Sequence, residues 1–289
     1  MRIGIVLEGG GLRGLYSAGI LDKLLETDLQ VDEMVGVSAG ALFGVNFISK
    51  QKGRAWRYNR RFLHDKRYMS VTSWLTTGNY VNKEFAFYKV PFELDRFDDA
   101  AFQQASTRFH LPVTHLESGR AEYVTLDSVF EQMEVLRATS ALPFVARKVP
   151  LPRTSQLSGG DYLDGGIVDS IPVHYAQQLG IDKLIILLTQ PIHYRKKAAR
   201  TWPYTLFYPR YPKLKEAMGL RHQRYNASLD YIAQLEQKGQ AFVIRPSKSL
   251  NVKRFESNLA TLEQLYQLGY QDADNQLTAL WEYLRTPPI

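Results

Sequence analysis

The apolar positions of the chain fall into two periods from the first residues onward. Ile3 to Leu7 is an unbroken apolar, β-branched run that predicts a buried strand, ended by the glycines that follow it. Leu12, Leu15, Tyr16, Ile20, Leu21 and Leu24 then recur at helical spacing and predict an amphipathic helix ending near Glu26. EMVGV, Glu33 to Val37, predicts a second short strand, and SAGALFGVNFIS, from Ser38, a second and mostly buried helix. An order of strand, helix, strand, helix implies right-handed crossovers and a parallel sheet with its functional loops at the carboxyl ends of the strands.

Further along, RAWRYNRRFLHDKRY (Arg54 to Tyr68) predicts a helix, and the remainder up to Tyr88 reads as loop. LPVTHLES and AEYVTL predict paired strands, and SVFEQMEVLRATSALP a helix closed by Pro143. YLDGGIV has a turn at its centre, AQQLGIDKLIILLTQ is the end of a helix followed by a core strand, and QAFVIRPS is another strand. Leu259, Leu262, Tyr266, Tyr270, Ala273, Leu277, Leu280 and Leu284 trace a long amphipathic helix. With no repeat, low-complexity tract or linker, residues 1–289 are expected to form a single α/β domain with insertions near 52–120 and 192–231.

Composition narrows the classes. The 289 residues are 45% hydrophobic and 22% charged, as in an ordinary globular protein. The absence of cysteine excludes disulfides, thiolate catalysis and cysteine-based zinc sites, and favours a reducing compartment. The first residues lack the pattern of a signal peptide, so Met1 reads as the start of the mature protein. The apolar runs, such as Lys183 to Leu188, fall far short of the about 20 residues of a membrane-spanning helix. The expectation is a cytoplasmic protein. A formal charge of +7 permits attraction to anionic lipid, nucleic acid or acidic substrates without choosing among them.

Candidate chemistry begins at LEGGGLRGL, Leu7 to Leu15, where Gly9, Gly11 and Gly14 fit the G-x-G-x-x-G phosphate-binding pattern. A dinucleotide site needs an acid where the second strand ends. Here Asp32 and Glu33 precede that strand, and its carboxyl end is GVSAG, Gly36 to Gly40. This is G-x-S-x-G between a strand and a helix, the setting in which a sharp turn exposes a nucleophilic serine and flanking glycines give the backbone room to bend. Ser38 is therefore the candidate nucleophile, at a helix N-terminus that favours a developing oxyanion. Gly9, Gly10 and Gly11 then become an oxyanion loop beside it, with Arg13 able to orient the loop or add positive charge. For the base, Asp164 in YLDGGIVDSIP offers a carboxylate on a turn. Asp161 and Asp169 compete with it, and His174 and His193 lie downstream, so residue types alone leave both a Ser/Asp dyad and a Ser/His/Asp triad open.

EGGGLRG, GVSAG, TSALPF (Thr139 to Phe144) and DGGIVDSIP, in this order and spacing, resemble the patatin-like phospholipase family, in particular its bacterial members, and the resemblance reaches LGYQDA at Leu268 to Ala273. It implies a three-layer α/β/α fold with a central, mainly parallel sheet, and a Ser/Asp dyad without a catalytic histidine. Carried over to this sequence, Ser38 is the nucleophile, Asp164 the base, and Gly9, Gly10, Gly11 and Arg13 the oxyanion loop. No metal or organic cofactor is called for. The expected substrate is a phospholipid or another acyl ester. The segments Lys52 to Arg120 and Ile192 to Tyr231 carry no short motif by which the resemblance is read.

Two basic segments with interleaved aromatics, Arg54 to Tyr68 and Tyr194 to Tyr225, suit peripheral contact with an anionic bilayer at the inner membrane face. Single-stranded nucleic acid is the less favoured ligand of such a surface, and none is expected to bind. The sequence reading is a serine lipid acyl hydrolase working through an acyl-Ser38 intermediate. Its alternatives are a nucleotide-binding protein using the loop Gly9 to Gly14 and a non-catalytic membrane-binding module.

Overall fold

In the computed structural model, which describes residues 1–287, the chain runs β1 (Ile3–Leu7), α1 (Leu15–Leu24), β2 (Glu33–Gly36), α2 (Ala39–Ile48), α3 (Arg54–Phe62), α4 (Val71–Thr77), α5 (Asp99–Gln104), β3 (Arg108–His115) and β4 (Arg120–Leu126). It continues as α6 (Met133–Thr139), β5 (Val149–Leu151), β6 (Gly160–Asp164), α7 (Val173–Gln177), β7 (Lys183–Leu187), α8 (Trp202–Phe207), α9 (Pro212–Gln237), β8 (Ala241–Ile244) and α10 (Leu259–Arg285). The eight strands of the described residues form one sheet in the order β5-β6-β3-β2-β1-β7-β8, with β4 on β3. Strands β3, β2, β1, β7 and β8 are parallel, whereas β4 and β6 run antiparallel to β3.

The unbroken apolar runs are explained by burial on both faces. Ile5, Leu7, Met34, Ile185 and Leu187 pack with α1, α2 and α10 on one side of the sheet. Val6, Val35, Leu184 and Ile186 pack with α7 and the C-terminal half of α9 on the other. The fold is thus the three-layer α/β/α sandwich with a mostly parallel sheet. Helix α10 lies along α1 where Gly19 and Gly269 let the backbones approach. Tyr16 donates to Asp272 at 2.8 Å and Tyr266 to Asp22 at 2.7 Å on either side of that crossing. Among the described residues no helix is long and apolar enough to cross a membrane.

Three expectations change. The stretch up to Tyr88 expected as loop carries α4 and a further helical segment over Lys83–Leu94. The helix expected from Ser128 to Pro143 is regular only over Met133–Thr139, because the backbone from Thr139 to Ala141 leaves the helix to hydrogen-bond across the sheet. In the basic aromatic segment Arg54 to Tyr68 the aromatics turn inward, while Arg57, Arg60, Arg61, Lys66 and Arg67 stay exposed. Tyr58, Phe62 and Tyr68 are buried, and Arg54 and Arg57 both pair with Asp95.

Candidate active site

Ser38 stands between β2 and α2 with φ 56° and ψ −122°, outside the helical and extended regions and strained for a residue with a Cβ. The turn is this sharp because α2 folds back over β1: a Cβ on Gly40 would lie 2.7 Å from the Leu7 carbonyl oxygen, and one on Gly36 would lie 2.9 Å from that of Gly40. Both glycines of G-x-S-x-G are therefore required by contact. Ser38 becomes the N-cap of α2.

The sheet brings Asp164 to the same place. One edge of β3 pairs with β2 as far as Val35↔His110, and then with β6 from Val113↔Asp164 onward. Strand β2 ends and the oppositely directed β6 ends over the same gap, so the elbow and the D-G-G turn meet above Leu111 and Pro112. In an antiparallel strand the N–H and C=O of one residue face the same side. The Pro112 carbonyl faces the gap, where Thr139 Oγ1 donates to it at 2.7 Å, so the N–H that proline lacks would have found no strand there. Thr139 Oγ1 also accepts the Ser38 N–H at 3.2 Å, and the Ala141 carbonyl accepts the Asp164 N–H at 2.8 Å. Thr139→Val leaves both a buried N–H and a buried carbonyl unpaired. It is expected to lower stability by about 1–3 kcal/mol, read from the urea midpoint, and to lower kcat through the displaced elbow.

Ser38 Oγ donates to Asp164 Oδ2 at 2.7 Å, and Oδ1 of the same carboxylate accepts the Gly166 N–H at 2.7 Å. Asp164 is only 2% exposed. That burial pushes its carboxyl above the usual range, against the opposing pull of Ser38, Arg221, the Gly166 N–H and Arg254. A buried, raised carboxylate hydrogen-bonded to a serine hydroxyl has the chemistry of a general base.

The glycine loop lies against the elbow, since a Cβ on Gly9 would stand 3.2 Å from Ser38 Cβ. Gly9's own N–H donates to the Ser170 carbonyl at 3.2 Å. Among the described residues no acceptor is paired with the N–H of Gly10, Gly11 or Ala39, the residue after the serine. Gly11 has φ +60° and its Cα backs onto Arg254, whose carbonyl accepts the Leu12 N–H at 3.0 Å. Arg13 turns toward Glu8 and Arg254, and its Nε is buried without a partner.

The other candidates lie elsewhere. Asp161 holds Lys148 and the Tyr211 hydroxyl, Asp169 accepts the Tyr123 hydroxyl, and His174 stacks on Tyr231. His193 is exposed. None of them is hydrogen-bonded to Ser38 or Asp164 among the described residues. No cluster of three or more His, Asp or Glu placed to hold a metal ion occurs there either. From Ser38 a cavity runs between α2 and α6, walled by Leu42, Phe43, Tyr58, Val81, Phe87 and Leu142. The roles of Thr139, Arg221 and Arg254 are not legible in the sequence, where Thr139 stands only as the first residue of TSALPF and isolated arginines carry no pattern of their own.

A serine at a strand–helix elbow, touching a buried carboxylate over an apolar cavity, is the arrangement of an ester hydrolase site. Comparison with known proteins gives the family. The profile described as patatin-like phospholipase matches residues 5–176, and a domain of unknown function, DUF6363, matches residues 211–285. The chain belongs to the patatin-like phospholipase family, a family of lipid ester hydrolases. It is 26% identical over 275 residues to the uncharacterized protein YjjU of Escherichia coli (strain K12), covering 93% of this chain and 75% of that one. It is 25% identical over 293 residues to lysophospholipase nte1 of Emericella nidulans, covering 93% of this chain and 18% of that one. Among solved structures, VipD from Legionella pneumophila aligns over 96% of this chain and 67% of its own, with 12% identity and a TM-score of 0.43.

Proposed function

We propose that the protein releases fatty acid from phospholipids or lysophospholipids by a Ser38/Asp164 dyad. The observation that carries this is the 2.7 Å Ser38–Asp164 hydrogen bond at the mouth of an apolar cavity. Asp164 takes the Ser38 proton as Oγ attacks the acyl carbonyl, and the N–H groups of Gly10, Gly11 and Ala39 receive the oxyanion. The alcohol leaves with the proton that Asp164 returns to it. Asp164 then draws a proton from water, which attacks acyl-Ser38, and returns it to Ser38 Oγ as the acid leaves. The acyl chain occupies the apolar cavity. The test is mass-spectrometric quantitation of free fatty acid from phosphatidylcholine and lysophosphatidylcholine micelles, with Ser38→Ala as blank. Release above the blank supports the proposal, and release equal to the blank from both lipids overturns it.

In this reading the protein docks on a bilayer beside the site. Helices α4 and α8 expose Trp74, Leu75, Trp202, Leu206 and Phe207, and both touch Phe144: Trp74 Nε1 donates to its carbonyl at 2.9 Å, and the Phe207 ring lies 5.7 Å from its ring. Phe144 stands between Leu142 and Val145 of the cavity wall, so this apolar face adjoins that wall. Exposed Lys197, Arg200 and Arg210 flank it. Burying two large apolar side chains contributes about 3–6 kcal/mol. Leu206→Ser with Phe207→Ser is therefore expected to lower partition onto phosphatidylglycerol vesicles at least tenfold in a sedimentation assay.

We also propose that residues 1–289 form one folding unit. This rests on β8 and α10, which lie within residues matched by the domain of unknown function, pairing with β7 and packing along α1 outside it.

A further inference from the structure

Beside the acyl cavity lies a second one of about 380 Å³, of opposite character, lined by Tyr194, Lys196, Met218, Arg221, His222 and Arg254. Arg254 borders both cavities. Arg221 Nε donates to the Gly166 carbonyl at 2.7 Å, within the D-G-G turn that carries Asp164. Lys196 is clipped to α9 through both backbone groups: its N–H donates to Asn226 Oδ1 at 2.9 Å, and its carbonyl accepts Asn226 Nδ2 at 3.1 Å. Its ammonium is thereby held 4.0 Å over the Tyr225 ring.

This cavity is short of negative charge. Arg13, Lys196, Arg221 and Arg254 gather around it, and the acids whose fields reach them are Glu8 and Asp164. Glu8 is occupied by the Thr189 N–H and the Tyr225 hydroxyl, each at 2.6 Å, and Asp164 by Ser38 and Gly166. No carboxylate among the described residues pairs with Lys196, Arg221 or Arg254, and His222 Nδ1 is buried without a partner. Burial, with Arg221 beside it, holds the Lys196 ammonium down to about 7. Like charges packed half out of water in this way destabilise the free protein, and an anion entering the cavity removes that cost.

We propose that the cavity binds a phosphate group, and that in catalysis this is the headgroup phosphate of the lipid whose ester lies at Ser38. The assignment rests on the hydrolase reading. Ester and phosphate of a glycerophospholipid are a few bonds apart on the glycerol, and the two cavities share Arg254 in their walls. Planar guanidinium groups suit phosphate oxygens, and Lys196 adds a point charge. Arg221 and Arg254 both belong to residues 211–285, so the domain of unknown function would supply the cations that choose the headgroup.

Two measurements test this separately from hydrolysis. In the first, calorimetry on the catalytically silent Ser38→Ala chain compares glycerophosphocholine, inorganic phosphate and uncharged glycerol. Binding of the phosphodiester more tightly than inorganic phosphate, weakened about tenfold or more in Lys196→Gln and Arg254→Gln and partly restored in Arg254→Lys, is the expected result. Lys196→Gln, which dilutes the like charges, is also expected to melt higher than its parent without ligand and to lose the rise in Tm that the diester gives the parent. No binding of either phosphate overturns the proposal. Inorganic phosphate binding more tightly than the diester overturns the headgroup assignment and makes this a site for the free ion.

In the second, the ratio of kcat/KM for dibutyryl phosphatidylcholine to that for dibutyrylglycerol is expected to fall about tenfold or more in Arg254→Gln. An unchanged ratio overturns the proposal. If wild type hydrolyses neither ester, the hydrolase reading fails while the calorimetry still decides the phosphate cavity.

Discussion

Ser38→Ala is expected to abolish ester turnover, by roughly 10⁴- to 10⁶-fold in kcat/KM, since Ser38 is the nucleophile of the proposed route and, among the described residues, the only hydroxyl hydrogen-bonded to the Asp164 carboxylate. The same position carries a stability signature that an ordinary surface serine would lack. Its φ of 56° is paid for by the contacts around Gly36 and Gly40, and such strain costs about 1–3 kcal/mol. Glycine in place of alanine normally costs about 0.5–1 kcal/mol. At position 38 the order is expected to reverse, with Ser38→Gly at least as stable as Ser38→Ala in urea and both inactive. An alanine variant clearly more stable than the glycine variant would contradict the strained elbow.

Asp164→Asn is the second large effect. A general base contributes about 10²- to 10⁴-fold, and asparagine keeps the shape while removing the basicity, so kcat is expected to fall by that factor. In the proposed mechanism Asp164 can take the Ser38 proton only when ionised. Its carboxyl is raised by burial, so the acid limb of kcat/KM for a non-titrating ester is expected above the ordinary aspartate range near 4. The same shift sets the sign of the stability effect. The folded protein holds this proton more tightly than the unfolded chain does, so the stabilising contribution of the group is present below the ordinary aspartate pKa and lost as pH rises through the raised value. Asp164→Asn is therefore expected to be more stable than wild type at neutral pH, with the difference shrinking toward acid. Loss of stability at neutral pH in a folded Asp164→Asn protein would count against a buried carboxylate poised as base.

What could be read in the sequence, and what could not, divides by the range of the contacts. The elbow and the glycine loop are legible because Gly36, Gly40 and Gly9 are dictated by backbone approach within a few residues of one strand end, and such demands leave short motifs. The strands of the core are legible because burial on both faces makes β1, and β7 after Lys183, apolar runs. Helix α9 was hidden: its inward row runs Leu214, Ala217, Met218, Arg221, Tyr225, Ser228, Ile232 and Leu235, and three polar residues in that row blur the period. Arg221 and Tyr225 are polar because the row passes the site, where Arg221 meets the Gly166 carbonyl and Tyr225 meets Glu8, whereas Ser228 donates back to the Arg224 carbonyl. Thr139 was hidden for a related reason. Its role depends on where β2 gives way to β6 along β3, a matter of sheet topology that no local spacing records.

The central claim is that Asp164 activates Ser38 as the nucleophile. Intact-mass measurement after exposure to a fluorophosphonate, with peptide mapping, tests it most directly on wild type, Ser38→Ala and Asp164→Asn side by side. The account requires a single adduct on Ser38 in wild type, none in Ser38→Ala, and markedly slower labelling in Asp164→Asn. Folded wild-type protein that takes up no label, or an adduct that persists in Ser38→Ala, would contradict it.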